Sequence, residues 1–295
     1  MRRRRWISAR AVLLRVVPFL VAGPLSAQTS HELCRTPGSG ISVDHVVIAV
    51  SDLDSAAGDF QSLGFTLKPG RLHPNGLSNA HVKFADGTAL ELMSLEGEPT
   101  DPLAAAYATF LRTGEGGAFL AIEADPDRVT EAANILGLPS QLTRSGPFTW
   151  VTVDDSDGNP DVEPSPVFFI SYPDRPDDPD SLLVHDVGAV GIGSVLLDAT
   201  GSLADLLTLM GAAECSVSGD SAADSRVVAG LANAELILRL ESTERHSRPV
   251  VGQVTLVAAP GTPVTQPYVM DEQRTHGIQL ILGSADIPFR TDLFR

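Results

Sequence analysis

The alternation of apolar and polar positions is clearest at residues 44–50, where it predicts a half-buried strand. One face of this strand carries Val46, Ile48 and Val50. The opposite face carries three other residues: Val43, His45 and Val47. The pattern therefore places a histidine on one side of a strand that is apolar on both sides.

A helix is predicted directly after this strand. Asp52 is in position to cap its first turn, an apolar stripe follows at helical spacing, and Gly64 stands where a left-handed C-terminal residue is favoured. Two further strands are predicted at residues 79–84 and 89–95, and the turn-forming pair Asp86-Gly87 joins them. The first unit is therefore predicted to contain a strand, a helix and two further strands, in that order.

The last of these strands carries a carboxylate in an apolar row. Glu91 lies on the face opposite Leu90 and Leu92, where burial would penalise its charge unless it has a partner or contact with water. His45 is the candidate partner. Alternation also assigns Asn79 and His81 to the same face, so these four polar side chains are expected to converge on one concave surface.

The same unit recurs along the chain. A shift of 73 residues superposes the first helix on one that begins at Asp125-Pro126, and a shift of 147 residues predicts a third unit from about Val190 to Glu241. A fourth unit is degenerate, because Pro260–Pro267 replaces its helix. We therefore predict an α+β fold of two pairs of βαβββ modules, with the second pair partly degenerate.

The N-terminus is typical of an export signal. Arg2–Arg5 precede a mostly apolar run and a small-residue cleavage site, so residues 1–27 are predicted to be a signal peptide of the Sec or twin-arginine type. A loosely held tail is expected at 28–40, a first domain at 41–175 and a second at 186–284. The proline- and aspartate-rich stretch Pro173–Pro179 is predicted to be a linker between the two domains. A periplasmic or secreted location follows.

The charge excludes several partners. The formal net charge is −16, and removal of residues 1–27, with their six arginines and no acidic residue, would make it −22. So acidic a surface repels phosphate backbones and anionic lipids, which argues against nucleic acid and against membrane insertion after cleavage. The expected partner is a small molecule, and the chain is expected to be a monomer or a homodimer.

Cys34 and Cys215 are the only cysteines. In an oxidising compartment they could form one disulfide that ties the N-terminal tail to the second half of the chain. The alternative is two unpaired thiols, one in the tail and one in the core. The sequence leaves both open.

The segments around His45, Leu63-Gly64-Phe65, His73-Pro74-Asn75-Gly76 and Leu90-Glu91-Leu92 resemble the glyoxalase-like domain of the vicinal oxygen chelate (VOC) superfamily. Arg144, Trp150 and the strand after Pro166 resemble the second half of that domain. The resemblance covers about residues 41–172 and extends more weakly to 186–284. It implies paired modules whose sheets curl around a cavity, and it implies the fold far better than the reaction.

The resemblance also implies a divalent metal, such as Zn, Fe, Mn or Ni, because His45 and Glu91 match ligand positions of one module. The partner module departs from the pattern, since Ala118 or Gly117 and Phe169 or Ile170 occupy its matching positions. A third ligand is then missing unless His81 supplies it. Several interpretations of these residues stay open. His45 and Glu91 could hold a metal ion, could form a hydrogen bond in a metal-free pocket, or could be a purely structural pair. The face around His81 could also be simply polar and wet.

Two further side chains are candidates for substrate contact. His73, in a turn-rich loop, could bind an anionic group or act as a general acid, or could be a solvated loop residue. Trp150 could form a wall of the pocket or belong to the core. With Asn79, they complete the candidate substrate-binding set, while Glu91 is the candidate catalytic residue.

Two classes of function follow. One is an enzyme in which a metal ion assists lyase, isomerase or dioxygenase-type chemistry, with Glu91 as ligand or base. The other is a module that binds or sequesters a small molecule without turnover. The second half, which places Ile192 or Gly193 where His45 would be, is expected to be a scaffold or a pocket without chemistry.

Overall fold

The computed structural model describes residues 34–155, 166–175, 177–215, 226–240 and 251–284. The predicted signal peptide and the first part of the predicted tail lie outside these described residues. Among the described residues, no helix combines the length and the apolar character that crossing a membrane would require.

The first module contains one helix and four strands: β1 (Ile41–Ala49), α1 (Leu53–Ser62), β2 (Lys68–Leu72), β3 (Leu77–Lys83) and β4 (Ala89–Leu95). Asp52 caps α1, since its side chain accepts a hydrogen bond from the backbone N–H of Ser55. Gly64, just after the helix, has a φ of 90°, which is the left-handed conformation that the sequence predicted there. Strand β2 was not predicted from the residue pattern.

A helix and the second module follow: α2 (Pro102–Leu111), β5 (Gly116–Ala124), α3 (Pro126–Leu136), β6 (Ser140–Ser145), β7 (Phe148–Val153) and β8 (Val167–Ser171). Helix α2 and strand β6 were missed by the sequence analysis. Yet α2 begins with Asp101-Pro102, the same start as Asp125-Pro126 of α3, and both aspartates accept a backbone hydrogen bond from their helix.

The remaining elements are α4 (Asp180–Leu183), β9 (Ala189–Ala199), α5 (Gly201–Leu209), β10 (Ala213–Cys215), β11 (Arg226–Gly230), β12 (Glu235–Leu240), β13 (Val251–Ala258), β14 (Tyr268–Val269) and β15 (Gln279–Ser284). The described residues between β13 and β15 contain no helix. Segment 260–267 therefore lacks the helix of the other three modules, as its prolines predicted.

All the strands belong to one mixed sheet. Within each module the first strand runs parallel to the last, as seen in β1 with β4, β5 with β8, β9 with β12 and β13 with β15. The first strands of paired modules run antiparallel to each other, β1 with β5 and β9 with β13. The two pairs meet where Val251 of β13 is opposite Gly117 of β5. The fold is thus α+β with βαβββ-like modules.

The helices divide unequally between the two faces of the sheet. The buried residues of α1, α3 and α5 belong to one large apolar cluster that extends through both module pairs. Helix α2 packs on the opposite face of β1 and β4, where Ala104 and Tyr107 contact a second cluster with Val47 and Met93. Because His45 and Glu91 lie on that opposite face, α2 covers part of the surface on which the site is built.

Residues 34–40 do not form the loosely held tail that was expected. Cys34 is buried, its backbone N–H donates to the Glu235 carboxylate, and the N–H of Thr36 donates to the carbonyl of Leu231 at 2.9 Å. The expectation failed because the polar composition of this segment does not show that its backbone groups find partners on the third module.

Candidate functional site

A β-bulge in β1 organises the site. Val43 is opposite Ile122 of β5 and His45 is opposite Ala121, so Asp44 has no partner residue in the ladder. An extra residue of this kind shifts the alternation by one position and lets two successive side chains point to the same face. Val43 therefore joins the large core cluster, whereas Asp44 and His45 both face the opposite side.

This bulge corrects the prediction that Val43 shares a face with His45. The apolar pattern itself contained the signal, because the core positions Ile41 and Val43 are out of phase with Val46 and Ile48. A strand without a bulge would keep a single phase.

Three side chains converge on the carboxylate of Glu91. His81 lies directly opposite it on β3, with Nε2 at 3.3 Å from Oε1, and the amide of Asn79 donates to the same oxygen at 2.7 Å. On the other side, His45 Nε2 lies 3.1 Å from Oε2. The structure thus brings together the four residues that alternation assigned to one surface.

Asn79 is itself held in place by β2. Its amide oxygen accepts a hydrogen bond from the backbone N–H of Arg71 at 3.0 Å, which leaves its NH₂ group facing Glu91. A β-carbon at Gly70 would overlap this amide oxygen, so the close approach of the two strands requires glycine there.

His45 is held between two carboxylates. Its Nδ1 lies 2.5 Å from Oδ1 of Asp44, while its Nε2 faces Glu91. A neutral imidazole has one N–H and can donate to only one of them, so serving both requires the doubly protonated ring. Burial alone would lower the pKa of His45, but hydrogen bonds and charge from Asp44 and Glu91 outweigh this and raise it to about 9.

The two carboxylates respond in the opposite direction. Burial would raise the pKa of Asp44, but His45 and Arg175 lower it to about 2. For Glu91, burial is again outweighed, and hydrogen bonds from His45 and His81 hold its pKa well below the usual range. At neutral pH the site therefore contains an imidazolium between two carboxylates.

Arg175 completes this network from the stretch that was predicted to be a linker. Its guanidinium is paired with Asp44, lies 3.0 Å from Glu123 and packs over the ring of Tyr172 at 4.4 Å. The Tyr172 hydroxyl donates to Asp44 at 3.1 Å. Asp44, Tyr172 and Arg175 are site residues that the sequence analysis missed, and only the bulge pattern around Asp44 could have signalled one of them.

His73 lies beside the same group. Burial and the charge of Arg71 lower its pKa, while the charge of Glu91 acts in the opposite direction. Two buried ring nitrogens, Nε2 of His73 and Nδ1 of His81, have no hydrogen-bond partner among the described residues. Such groups are costly when left unpaired, so they mark where a ligand atom would be stabilised.

Aromatic side chains border the site. The ring of Phe168 meets that of His45 edge-on, with centroids 5.8 Å apart. Tyr107 of α2 is buried, and burial together with the charge of the nearby Glu91 raises the pKa of its hydroxyl group. Trp150 stacks on Phe148 at 6.3 Å and is only partly buried. It lies opposite Ile170 on the face that also carries Phe168, so it is not part of the core.

The structure joins Cys34 and Cys215 in a disulfide with their Cα atoms 6.2 Å apart. His185 is buried and makes structural contacts away from the candidate site. Its Nδ1 accepts from the N–H of Thr66 at 3.0 Å, its Nε2 lies 2.9 Å from the carbonyl of Lys83, and burial lowers its pKa.

The described residues do not fit a single-ion metal site. No group of three or more His, Cys, Asp or Glu side chains among them has an arrangement that could hold a metal ion. The two imidazoles approach different oxygens of Glu91, and Asn79 shares one of these with His81. Donors distributed around one carboxylate in this way satisfy that carboxylate rather than surround a common point.

Comparison with known proteins agrees with the sheet topology. Residues 43–204 match the model of the glyoxalase-like domain family, which is more than half of the chain. A hypothetical protein from Staphylococcus aureus has a similar structure, with a TM-score of 0.57 and 13% identity over 83% of this chain and 99% of that one. None of the curated proteins matches the sequence.

Shorter structures are also similar. Methylmalonyl-CoA epimerase from Mycobacterium tuberculosis aligns with a TM-score of 0.35 and 23% identity, over 45% of this chain and 88% of that one. A methylmalonyl-CoA epimerase from Streptomyces coelicolor aligns with a TM-score of 0.34 and 20% identity, over 48% and 100% of the two chains. At these levels the similarity concerns the fold alone. The family match and the module topology together show that the chain belongs to the glyoxalase-like domain family.

Proposed function

We propose that the protein binds a small, oxygen-bearing molecule at the surface formed by His45, Asn79, His81 and Glu91, with His73 at its edge. The observation that carries the proposal is the convergence of three N–H donors on one buried carboxylate next to two unpartnered ring nitrogens. A surface with buried, unpaired polar atoms beside an oriented charge network is suited to a polar ligand.

The protonation states indicate which side chain would act on a bound ligand. With a pKa of about 9, His45 holds a proton at neutral pH, and its positive charge can stabilise a nearby ligand oxygen that gains negative charge. Glu91 is a weak base in this arrangement because His45 and His81 stabilise its ionised form. We therefore propose that Glu91 orients His45 and keeps it protonated, rather than acting as a general base.

NMR of the protein's histidine side chains, titrated with a panel of small oxygen-bearing compounds, tests this proposal. Compounds that bind should shift the side-chain resonances of His45, His73 and His81, and should lose affinity in His81→Leu at least as strongly as in His45→Gln. Arg274→Gln, an exposed change in the fourth module, serves as the control. Binding that perturbs none of the three histidines would refute the assignment.

A metal-assisted enzyme is the second candidate. In its favour, His45 directs Nδ1 to the carboxylate of Asp44, an arrangement that metal-binding histidines commonly show. Against it, a metal must displace the proton on His45, which at pH 7 weakens binding about 100-fold for a pKa of about 9. Metal analysis of the purified protein separates the candidates, since the enzyme requires close to one divalent ion per chain, lost in His45→Ala or Glu91→Gln.

We further propose export by the Sec or twin-arginine route, because the arginine-rich start is followed by an apolar run and because the two cysteines are close enough to pair. Fractionation of expressing cells should place the processed chain outside the cytoplasm. A chain that remains cytoplasmic and unprocessed would contradict this.

A further inference from the structure

The edge of the candidate site has a charge composition unlike that of the rest of the chain. The 26 residues between Asp59 and Asp86 contain no acidic residue, although the whole chain has 37. The only two lysines of the chain, Lys68 and Lys83, lie within this segment. We call its five basic side chains the basic row: Lys68, Arg71, His73, His81 and Lys83.

The strand geometry brings the basic row to the candidate site. Lys68 is opposite His81 in the β2–β3 ladder, and His81 is in turn opposite Glu91 of β4. Lys83 follows His81 by two residues, so both project from the same face of β3, whereas Val82 between them belongs to the core. At about 3.3 Å per residue, Arg71 and Lys83 lie roughly 15 Å apart, with His81 between them.

Two cations of the basic row have no carboxylate partner among the described residues. Lys68 is paired with Asp178, but Arg71 and Lys83 form no ion pair within the described part of the chain. Lys83 is half-buried near Asp44, Asp178 and Glu91, and none of these carboxylates forms an ion pair with it within the described part of the chain. The nearby carboxylates are already committed, Glu91 to His45 and Asp44 to His45 and Arg175.

This surface therefore has a positive excess in an otherwise strongly acidic protein. Such an excess attracts anions to the site and repels cations from it. The guanidinium of Arg71 can match a carboxylate with two parallel hydrogen bonds, while the ammonium of Lys83 acts as a point charge. Of the two ring nitrogens without a partner among the described residues, Nδ1 of His81 belongs to the residue between these two charges, and Nε2 of His73 belongs to a residue two positions beyond Arg71.

From this arrangement we infer that the ligand of the site is a small organic carboxylate, anchored by the basic row, with its polar centre at His81 and His45. The inference rests on the proposed function, because it names the class of molecule for that same site. It assigns Arg71 and Lys83 to ligand binding.

Calorimetric titration with glutarate, a five-carbon dicarboxylate, and with glutaramide, its uncharged diamide, tests the inference. Glutarate should bind the wild-type protein saturably and at least tenfold more tightly than glutaramide or inorganic phosphate. Arg71→Gln and Lys83→Met should each weaken glutarate binding at least tenfold. Arg274→Gln removes the same charge from an exposed arginine of the fourth module and should leave binding unchanged.

The possible outcomes separate this inference from the proposed function. If glutarate and glutaramide bind equally and shift the histidine resonances, the site binds ligands but the inference of a carboxylate is wrong. Equal binding of glutarate and phosphate, or unchanged affinity in both Arg71→Gln and Lys83→Met, also overturns it. If no probe binds or shifts the histidines, both proposals fail. Since Arg71 is exposed, its variant should remain folded even if Lys83→Met does not.

Discussion

Two buried glutamates occupy similar places in the first and third modules, and their surroundings differ. Glu91 lies on the last strand of its module, on the face away from α1, and accepts hydrogen bonds from polar side chains on neighbouring strands. Glu235 lies on the last strand of the third module, also on the face away from the large core cluster. It accepts a hydrogen bond from the backbone N–H of Cys34, next to a small apolar cluster.

The difference shows how one module can support different roles. In the third module the N-terminal segment and its disulfide cover the face, so the carboxylate stabilises a chain contact. In the first module the same face is lined by histidines and an asparagine, and two ring nitrogens there have no partner within the described ranges of the chain. The same position in two modules therefore has different surroundings, and the groups opposite each glutamate determine which contacts it makes.

The largest expected effect concerns the two faces of β4. Leu90 is fully buried in the core, so Leu90→Glu should prevent folding, because an unpaired charge there costs several kcal/mol. Glu91→Leu, one residue away, should fold with a loss of about 1–3 kcal/mol, since His45 keeps Asp44 as a partner. Thermal melts followed by circular dichroism compare the two, and equal tolerance of both changes would show that the faces are wrongly assigned.

The disulfide comes next in size. Cys34 and Cys215 are 181 residues apart, so closing this loop should stabilise the folded state by about 3–5 kcal/mol through restriction of the unfolded chain. Denaturant unfolding before and after reduction measures this, with Cys34→Ser/Cys215→Ser as the matched variant. Titration of unreduced, denatured protein should find no free thiol, whereas two per chain would contradict the pairing.

Exchange of either glutamate for glutamine separates stability from binding. Glu235→Gln should cost about 1–3 kcal/mol of unfolding free energy, because the hydrogen bond to Cys34 N–H loses its charge, and should leave ligand binding unchanged. Glu91→Gln should weaken ligand binding while costing similar stability. A loss of binding in Glu235→Gln would show that the third module takes part in the site.

The last predicted effect is a pH dependence from His45. Its pKa is raised from 6.5 to about 9 on folding, so its stabilising contribution is complete below pH 6.5 and is lost as the pH rises through 9. Wild-type stability should thus fall between pH 7 and 9.5 by up to about 3 kcal/mol. His45→Gln should flatten this part of the curve, and an unchanged slope in that variant would assign the titration to another group.

The sequence predicted the elements that have strong periodicity or clear boundary residues. Strand β4 was predicted at 89–95 and was confirmed to the residue. Helix α2 was missed because Pro102–Leu111 is rich in alanine and apolar on most sides, so no stripe distinguishes it. Its Asp-Pro start carried the information.

The site was predictable only where strand alternation places side chains. His45, Asn79, His81 and Glu91 share a surface as alternation predicted, because their strands are adjacent in the ladder. Asp44 needed recognition of a bulge, and Arg175 reaches the site from a proline-rich stretch more than 120 residues away in sequence. Such a contact depends on tertiary folding and has no local signal.

Histidine side-chain NMR tests the central claim most directly. We predict that His45 is an imidazolium at pH 7.5 in the wild-type protein, and that Glu91→Gln moves its titration midpoint to a lower pH by at least one unit. The matching change Glu235→Gln should leave that midpoint where it is. A neutral His45 at pH 7.5, or a midpoint that Glu91→Gln does not move, would contradict a charged His45–Glu91 pair as the centre of this site.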